Sequence, residues 1–359
     1  MKKFNSNTRK EELARLNQCN NTLRNYFFVL VGLAVAALVA ALLKFMIPSM
    51  LCLVALAVFR LTIHKKARNE YQQAITDAAL TCSVGTRLDE FELSSKGGIG
   101  ITREDILAAE LVSVREGSDT YINFFQGIAG PSKGTEVSLN DTVLHQYQSA
   151  GQKGAAITCG VWMRFVLSKD SGRNLRLLSD GLLADDLREE FFAGLPALTR
   201  RDAEEAGFKE GLFLYEEGAR SDVEPARSDV EPARSNVEPA RSNVEPARND
   251  AEPARSDVRP AVTGTAPSTV SSTAPKSAEL LTFPPFPVNF TSAVNRLARK
   301  TSVPFGLSLK GNVLNLFFKD RVLAPTCNLN AKPDESLLNL DPIPEFGDAL
   351  SIAKNAPTV

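Results

Sequence analysis

The longest apolar stretch of the chain lies near its N-terminus, where residues 26–59 carry one charged side chain, Lys44. A single helix over this stretch would be about 51 Å long, well beyond the roughly 30 Å hydrocarbon core of a bilayer. The pattern therefore predicts a transmembrane helical hairpin over 26–63, with spans near 26–43 and 46–63. Pro48 suits the start of the second span, because the first turn of a helix does not need the N–H that proline lacks.

Two other interpretations of this stretch fit the pattern less well. A soluble helical hairpin needs a polar face toward water, and residues 26–43 offer none. A cleaved signal peptide would start earlier and be shorter, and a second apolar stretch would not follow it directly. The hairpin therefore remains the favoured interpretation, with the lipid bilayer as its first partner.

Basic residues flank the hairpin on both sides and predict its orientation. Between the two spans only Lys44 is charged. Because loops rich in Lys and Arg stay in the cytoplasm, we expect a multi-pass protein of the cell inner membrane with both termini cytoplasmic. The flanking cations also suit anionic headgroups as membrane anchors. They are Lys2, Lys3, Arg9, Lys10, Arg15 and Arg24 before the hairpin, and Arg60, Lys65, Lys66 and Arg68 after it.

Small residues recur along the first predicted span. Gly32, Ala36 and Ala40 are spaced four residues apart, so they share one helix face. Such a face allows close helix packing in a membrane. It predicts either contact with a partner helix or, the interpretation we favour, contact between the two helices of the hairpin.

After the hairpin the pattern changes to short amphipathic and alternating runs. Residues 64–81 predict a juxtamembrane helix, and 82–218 predict a cytoplasmic α+β domain. Within it, Thr102 and Asp105 have the spacing of a helix-capping box, and Asp185 with Asp186 can cap a helix through Phe192. Strand-like runs occupy 120–130, 134–139 and 155–168, the last alternating as a half-buried strand would.

Residues 219–260 consist of six copies of a seven-residue unit typified by ARSDVEP. A proline in every unit costs roughly 3 kcal/mol inside a helix, which excludes a coiled coil. We expect this tract, and the Pro/Ser/Thr-rich linker at 261–280, to be disordered. The repeats are then either a spacer or multivalent docking tract, or, the interpretation we favour, a tolerated expansion of a surface loop.

Beyond the repeats, residues 281–326 again have folding patterns. They predict a helix over 287–301 and a β-hairpin around Lys310–Asn312, followed by a tail at 327–359. The predicted fold class is therefore membrane-anchored α+β, a two-helix transmembrane hairpin with a mixed, strand-rich cytoplasmic domain and a disordered repeat insertion.

The order of elements resembles a family of bacterial membrane proteins of unknown function. The matching stretches are ITREDILAAELV, TYINFFQGI with GTEVSL, ITCGVWMRFVLSKDSGRNLRLLSDG and GFKEGLFLYEEGAR, followed past the repeats by LTFPPFPVNFTSAVNRLARKTSVPFGLSLKGNVLNLFFKDRVLAP. The resemblance implies an N-terminal membrane hairpin, a cytoplasmic α+β domain, and a domain that the repeat tract interrupts, so that 281–326 folds back onto 82–218. It implies no catalytic residues.

Composition and charge narrow the functional classes. The chain of 359 residues has 41 Lys+Arg against 42 Asp+Glu, which argues against nucleic acid as a partner. Its five cysteines are widely spaced, so neither a disulfide framework nor a CxxC metal site is indicated, and we expect no cofactor.

Candidate chemistry in the predicted domain is scattered. His145, which we place on a helix, and His64 in the basic cluster are isolated, and Asp119, Glu136, Asp185 and Glu190 show no paired spacing. In Lys133-Gly134-Thr135 the lysine precedes the glycine, so this segment predicts a turn and not a phosphate-binding loop.

The function expected is accordingly an interaction or scaffold domain held at the inner membrane, with a membrane or cytoplasmic protein as its partner. The alternatives are a membrane-tethered, hydrolase-like enzyme and a subunit of a transport or envelope complex. The candidate residues are thus the flanking cations and the small-residue face, with no catalytic, cofactor or metal site assigned.

Overall fold

The computed structural model describes residues 1–95, 97–113, 120–146, 156–193, 195, 197–218, 283–324 and 333–359. The predicted repeats and linker at 219–280, together with Asp119 and Cys327, lie outside the described residues. Two helices are long and apolar enough to cross a membrane, and a strand-rich domain follows them.

The N-terminal helices form a hairpin. Helix α1 covers Thr8–Leu42 and α2 covers Met46–Phe59, and the turn between them holds Lys44 at a positive φ of 62°. Pro48 lies in the first turn of α2, as its missing N–H favours. A π-helical turn, Arg60–His64, connects α2 directly to α3, Lys65–Ser83.

Helix α1 begins well before the apolar stretch. Most of the N-terminal segment that precedes the apolar residues is therefore helical, and it packs against α3 and the short helix α7, Glu335–Leu338. Leu16 and Tyr71 are buried in this contact, and the Arg15 guanidinium lies 3.0 Å from the Asp77 carboxylate. The N-terminal half of α1 is thus joined to α3 by apolar packing and an ion pair, and to α7 by apolar packing.

Within the hairpin, α1 contacts α2 through a face that includes Ala37. Ala37 is 4% exposed, and its carbonyl accepts a hydrogen bond of 3.0 Å from the Ser49 hydroxyl of α2. Gly32 and Ala36 are exposed, whereas Ala40 is half-buried. Gly32 and Ala36 thus lie outside the contact between α1 and α2, and the role of the small-residue face as a packing surface stays a prediction. Helical periodicity places Ala37, Leu33 and Leu30 toward α2 instead.

Nine antiparallel strands of the described residues form one sheet, in the spatial order β1-β2-β3-β4-β9-β8-β5-β7-β6. The strands β8 and β9, which follow residues 219–282 in sequence, lie between β4 and β5 in the middle of the sheet. The strand bounds are β1 Glu92–Ser94, β2 Thr120–Ser132, β3 Thr135–Gln146, β4 Ala156–Val166, β5 Asn174–Ser179, β6 Leu198–Arg201, β7 Leu212–Glu217, β8 Phe305–Lys310 and β9 Val313–Lys319.

Both faces of the sheet are covered. Alternate residues of β4, Val161, Met163 and Phe165, pack with helices α6, Val288–Lys300, and α8, Phe346–Lys354. The residue between them, Trp162, is fully buried on the opposite face. That face is covered by α4, Arg103–Ala108, and α5, Asp185–Ala193. The strand predicted as half-buried is therefore buried on both sides.

Local signals in the sequence correspond closely to the observed turns and caps. Thr102 and Asp105 form the predicted capping box of α4. The Lys133-Gly134 pair is a two-residue hairpin turn with both φ angles positive, as the turn interpretation of this segment predicted. Gly311 begins the two-residue turn between β8 and β9, and it alone in that turn has a positive φ, of 60°.

Two predictions for the strand-rich domain differ from the structure. His145 lies on strand β3 and not on a helix, because the strand pairs with β4 as far as this residue. In the segment predicted as a tail, residues 333–359 contain α7 and α8. Phe346 and Ile352 of α8 are buried in the main core, since their spacing gives the helix an apolar face.

Candidate functional site

A row of polar residues crosses the face of the sheet beneath α4. Neighbouring strands pair Ser138 with Arg164, Arg164 with Asn315, Asn315 with Ser308, and Ser308 with Arg176. Paired residues of adjacent strands point to the same face, so the five side chains form one continuous line. We call these residues the polar row.

The polar row is buried although its members are polar. Arg176 and Ser308 are fully buried, and Asn315 is nearly so. The surrounding side chains are apolar and include Trp162, Phe317 and Leu178. In such surroundings a polar group needs a hydrogen-bond partner, because it has lost its contact with water. The hydrogen-bond and ion-pair partners of the polar row therefore show which parts of the chain it binds.

Arg176 reaches out of the sheet to the segment after α4. Its Nη2 lies 2.5 Å from Oε2 of Glu110, and its Nη1 donates to Oδ1 of Asn174 at 2.7 Å and to the carbonyl of Leu175 at 2.8 Å. Burial lowers the pKa of the Arg176 guanidinium from its ordinary value, and the Glu110 carboxylate opposes that shift. Glu110 thus offsets part of the cost of burying this cation.

Arg164 contacts the N-terminal end of α4, whereas Arg176 contacts the residue Glu110 that follows this helix. Its Nε lies 3.2 Å from Oδ1 of Asp105 in the first turn of α4. The carboxylate of Asp105 also accepts from the backbone N–H of Thr102 at 2.8 Å, within the capping box. The two arginines of the polar row therefore attach α4 to the sheet at both of its ends.

Two glycine-rich segments, residues 97–100 and 127–130, meet beside the polar row. The Asn140 side chain accepts from the N–H of Ile99 and donates to its carbonyl, both at 2.9 Å. A Cβ on Gly127 would come within 2.3 Å of the Asn140 amide oxygen, and a Cβ on Gly100 within 2.1 Å of the Ser138 hydroxyl. Glycine is required at both positions, because residues 97–100 pack so closely on the sheet that a Cβ would clash.

A second buried charge cluster lies on the opposite face of the sheet. Glu216 of β7 is almost fully buried and lies 3.0 Å from both Arg173 and Arg201. Arg173 also donates to the carbonyls of Pro284 and Pro285, at 2.7 Å and 2.8 Å. Burial raises the pKa of Glu216, and the two guanidinium groups counteract that rise. The cluster joins the end of β7 to the segment that contains Pro284 and Pro285.

The predicted flanking cations lie at the end of the hairpin that is opposite its turn. Arg24, Arg60, Lys65, Lys66 and Arg68 are exposed on α1, α3 and the π-helical turn. Near the start of the chain, the backbone of Lys2 pairs with that of Phe91, and the Lys3 ammonium lies 3.1 Å from Glu90. The first two lysines therefore lie at the edge of the sheet.

The other residues considered for chemistry do not meet. Glu136 and His145 lie near opposite ends of β3, nine residues and so about 30 Å apart. Asp119 is outside the described residues, and the side chains of Asp185 and Glu190 are likewise not described. Among the described residues no group of three or more His, Cys, Asp and Glu side chains could hold a metal ion.

A cluster that the sequence did not suggest lies where β3, β4 and β9 adjoin. The Cys159 thiol is 3.6 Å from the Asp320 carboxylate, and Asp141 is half-buried nearby. Burial raises the pKa of the Cys159 thiol, and Asp320 raises it further, which favours the unreactive neutral form. Burial also raises the pKa of Asp141, to about 6.

Charged residues inside strand-like runs were the available signal for the polar row. Arg164 and Arg176 interrupt apolar stretches that their neighbours mark as strands. The pairing with Asp105 and Glu110 could not be found in this way, because Arg176 and Glu110 are 66 positions apart.

No protein-family model, curated protein sequence or solved structure matches this chain.

Proposed function

We propose that this protein is a multi-pass protein of the cell inner membrane, in which the hairpin of α1 and α2 spans the bilayer and both termini are cytoplasmic. In this proposal the nine-stranded sheet and its helices form a cytoplasmic α+β interaction or scaffold domain. The order of two apolar helices and a strand-rich domain supports the resemblance to bacterial membrane proteins of unknown function.

The exposed apolar surface of the hairpin carries the proposal. Only 6% of the apolar 18-residue segment of α1 is buried against the rest of the chain, and 0% of the apolar 18-residue segment in the continuous helical stretch Met46–Arg87. Phe28, Leu38, Met50 and Leu53 are each more than half exposed. So large an apolar surface is unfavourable in water and favourable in lipid, and it stands next to exposed cations that suit the cytoplasmic headgroup region.

The interaction or scaffold role is supported by how the buried charges are used. Arg176 with Glu110, Glu216 with Arg173, and Asp348 with Arg296 each join different elements. These pairs stabilise a fixed arrangement of strands and helices on a hairpin that is itself packed on α3. A rigid platform at the membrane surface suits a partner-binding role.

Site-specific labelling tests the membrane topology. In a background in which the five cysteines are replaced, Lys44→Cys places a thiol in the hairpin turn and Lys169→Cys places one on the exposed loop between β4 and β5. A membrane-impermeant maleimide is expected to label Lys44→Cys in intact spheroplasts, and Lys169→Cys only after the membrane is permeabilised.

The controls separate topology from membrane association. The full chain is expected to sediment with membranes after an alkaline carbonate wash, and a chain lacking residues 26–63 is expected to lose this behaviour. Labelling of Lys169→Cys in intact spheroplasts, or recovery of the full chain in the carbonate supernatant, would overturn the proposal.

Photo-crosslinking tests the interaction role. Tyr121 is an exposed aromatic residue on β2, of the type that is enriched in protein interfaces. A photo-reactive phenylalanine at Tyr121 is expected to give a discrete adduct in native membranes, and the same group at Lys169 is expected to give none. Identical adduct patterns at both positions, or no adduct at Tyr121, would argue against this role.

A further inference from the structure

Two neighbouring members of the polar row have hydrogen-bonding capacity that the structure leaves unused. Among the described residues, Nε of Arg176 and the hydroxyl of Ser308 have no hydrogen-bond partner, and both side chains are fully buried. Arg176 on β5 is paired directly with Ser308 on β8, so the two side chains point to the same face and are adjacent. Two buried polar groups without a partner therefore lie on neighbouring side chains of the same sheet face.

The missing group has a definable chemistry. A guanidinium group only donates hydrogen bonds, and it binds carboxylate and phosphate oxygens best, through two parallel bonds. A serine hydroxyl beside it can donate to a further oxygen of the same group. A small anion with several oxygens would satisfy both donors at once, whereas a single acceptor oxygen would satisfy fewer of them.

Glu110 occupies part of this position with an oxyanion from the protein itself. Its Oε2 contacts Nη2 of Arg176 and leaves Nε without a partner. The Glu110 side chain is 26% exposed, so its carboxylate can be reached from solvent. Release of the Glu110 carboxylate from Arg176 would leave Nη2 as well as Nε open to another oxyanion.

We propose that Arg176 and Ser308 form a binding site for a small oxyanion, phosphate or carboxylate, which replaces the Glu110 carboxylate on the Arg176 guanidinium. The bound oxyanion accepts from Nε and Nη2 of Arg176 and from the hydroxyl of Ser308. Glu110 then turns outward to solvent, while Arg164 and Asp105 continue to hold the first turn of α4. The site lies in the folded domain and does not depend on the location of the hairpin.

Trp162 provides a direct probe of this site. It is the single tryptophan of the chain, and its indole N–H donates to Oδ1 of Asn315 at 3.1 Å. Asn315 is paired with Ser308 in the polar row. The full chain in detergent micelles is titrated separately with inorganic phosphate and with acetate, at an ionic strength kept constant with sodium chloride, and Trp162 emission is recorded. A saturable change with at least one of the two anions is expected.

Two substitutions test the assigned residues. Ser308→Ala removes one donor and is expected to weaken binding about tenfold, an ordinary effect for a lost hydrogen bond to a charged group. Ser138→Ala is the matched control, because it is the same substitution in the same row, three strands away, and it is expected to leave binding unchanged. Glu110→Gln removes the competing charge at nearly constant volume and is expected to tighten binding about tenfold.

The outcomes are decisive in both directions. If emission does not change in a saturable way in either the wild type or Glu110→Gln, the site takes only water and the proposal is overturned. Equal weakening by Ser308→Ala and Ser138→Ala would also overturn it, since binding would then not involve Ser308. Thermal unfolding of each variant verifies that it is folded, and Ser308→Ala with its control decides the matter if Glu110→Gln does not fold.

Discussion

Single charged side chains in the sheet interior have clear individual roles. Arg176, Arg164 and Glu216 lie on strands of the sheet, and each is placed so that its charge contacts an opposite charge outside its own strand. A buried ion that lost its partner would cost several kcal/mol, so these residues make the arrangement of the elements specific. Asp141 differs, because burial and not an opposite charge dominates its surroundings.

Asp141 is expected to make stability depend on pH. Burial raises its pKa from 3.8 to about 6, so between those pH values the folded state keeps a proton that the unfolded state releases. The stability that this group contributes is therefore complete below pH 3.8 and is lost as pH rises through about 6. Asp141→Asn, which cannot ionise, should be more stable than the wild type at pH 7 by about 2 kcal/mol, allowing for partial solvent screening.

The measurement is urea unfolding of the full chain in detergent micelles, followed by Trp162 fluorescence at pH 4 and pH 7. The free-energy difference between Asp141→Asn and the wild type should grow between these pH values. Glu205→Gln, at an exposed position, serves as the control and should show no such growth. A difference that is the same at both pH values would contradict the prediction.

At the scale of elements, helix periodicity decides which small residues of α1 matter to the hairpin. Ala37 lies against α2, and its carbonyl accepts from Ser49. A side chain built on Gly32 would meet no atom within 4 Å among the residues that the structure describes. Small residues five positions apart thus have different roles, and composition alone does not separate them.

Leucine substitutions at these two positions should have opposite consequences. Ala37→Leu introduces extra volume into the contact between α1 and α2 and should destabilise the hairpin by about 2 kcal/mol. Gly32→Leu should be neutral or slightly stabilising, because leucine favours a helix more than glycine does. Unfolding of the full chain by SDS, followed by far-ultraviolet circular dichroism, measures both, and equal destabilisation by the two substitutions would be inconsistent with the observed contact face.

At the scale of the whole molecule, the order of strands in space departs from their order in the chain. The strands β8 and β9 occupy the centre of the sheet, although residues 219–282 separate them in sequence from β7. The cluster of Glu216, Arg173 and the Pro284 and Pro285 carbonyls joins the chain on both sides of that separation. We therefore expect the contacts of Arg173 to matter more to the stability of the sheet than the length of the connecting chain, whose closure entropy changes slowly with length.

Deletion of residues 219–267 should consequently leave the thermal midpoint within about 2 °C of the wild type, because the entropy of loop closure changes slowly with length. Arg173→Gln should lower the midpoint by about 5 °C, since it leaves Glu216 with one fewer partner and frees the Pro284 and Pro285 carbonyls. Differential scanning calorimetry in detergent micelles compares the two. Aggregation or a large loss of stability on deletion would show that the tract is structural.

The sequence by itself determined the local features of this protein. The apolar stretch at 26–59, the capping box at Thr102, the turn at Lys133 and the hairpin around Gly311 each depend on residues a few positions apart, so their patterns are readable without the fold. Only the tertiary structure decided which face of α1 meets α2, that β8 and β9 complete the sheet from within, and that Glu110 and Asp105 neutralise the arginines of the polar row. These features depend on contacts between residues that are far apart in sequence. Burial and charge pairing in three dimensions stabilise such contacts, and neither produces a periodic pattern along the chain.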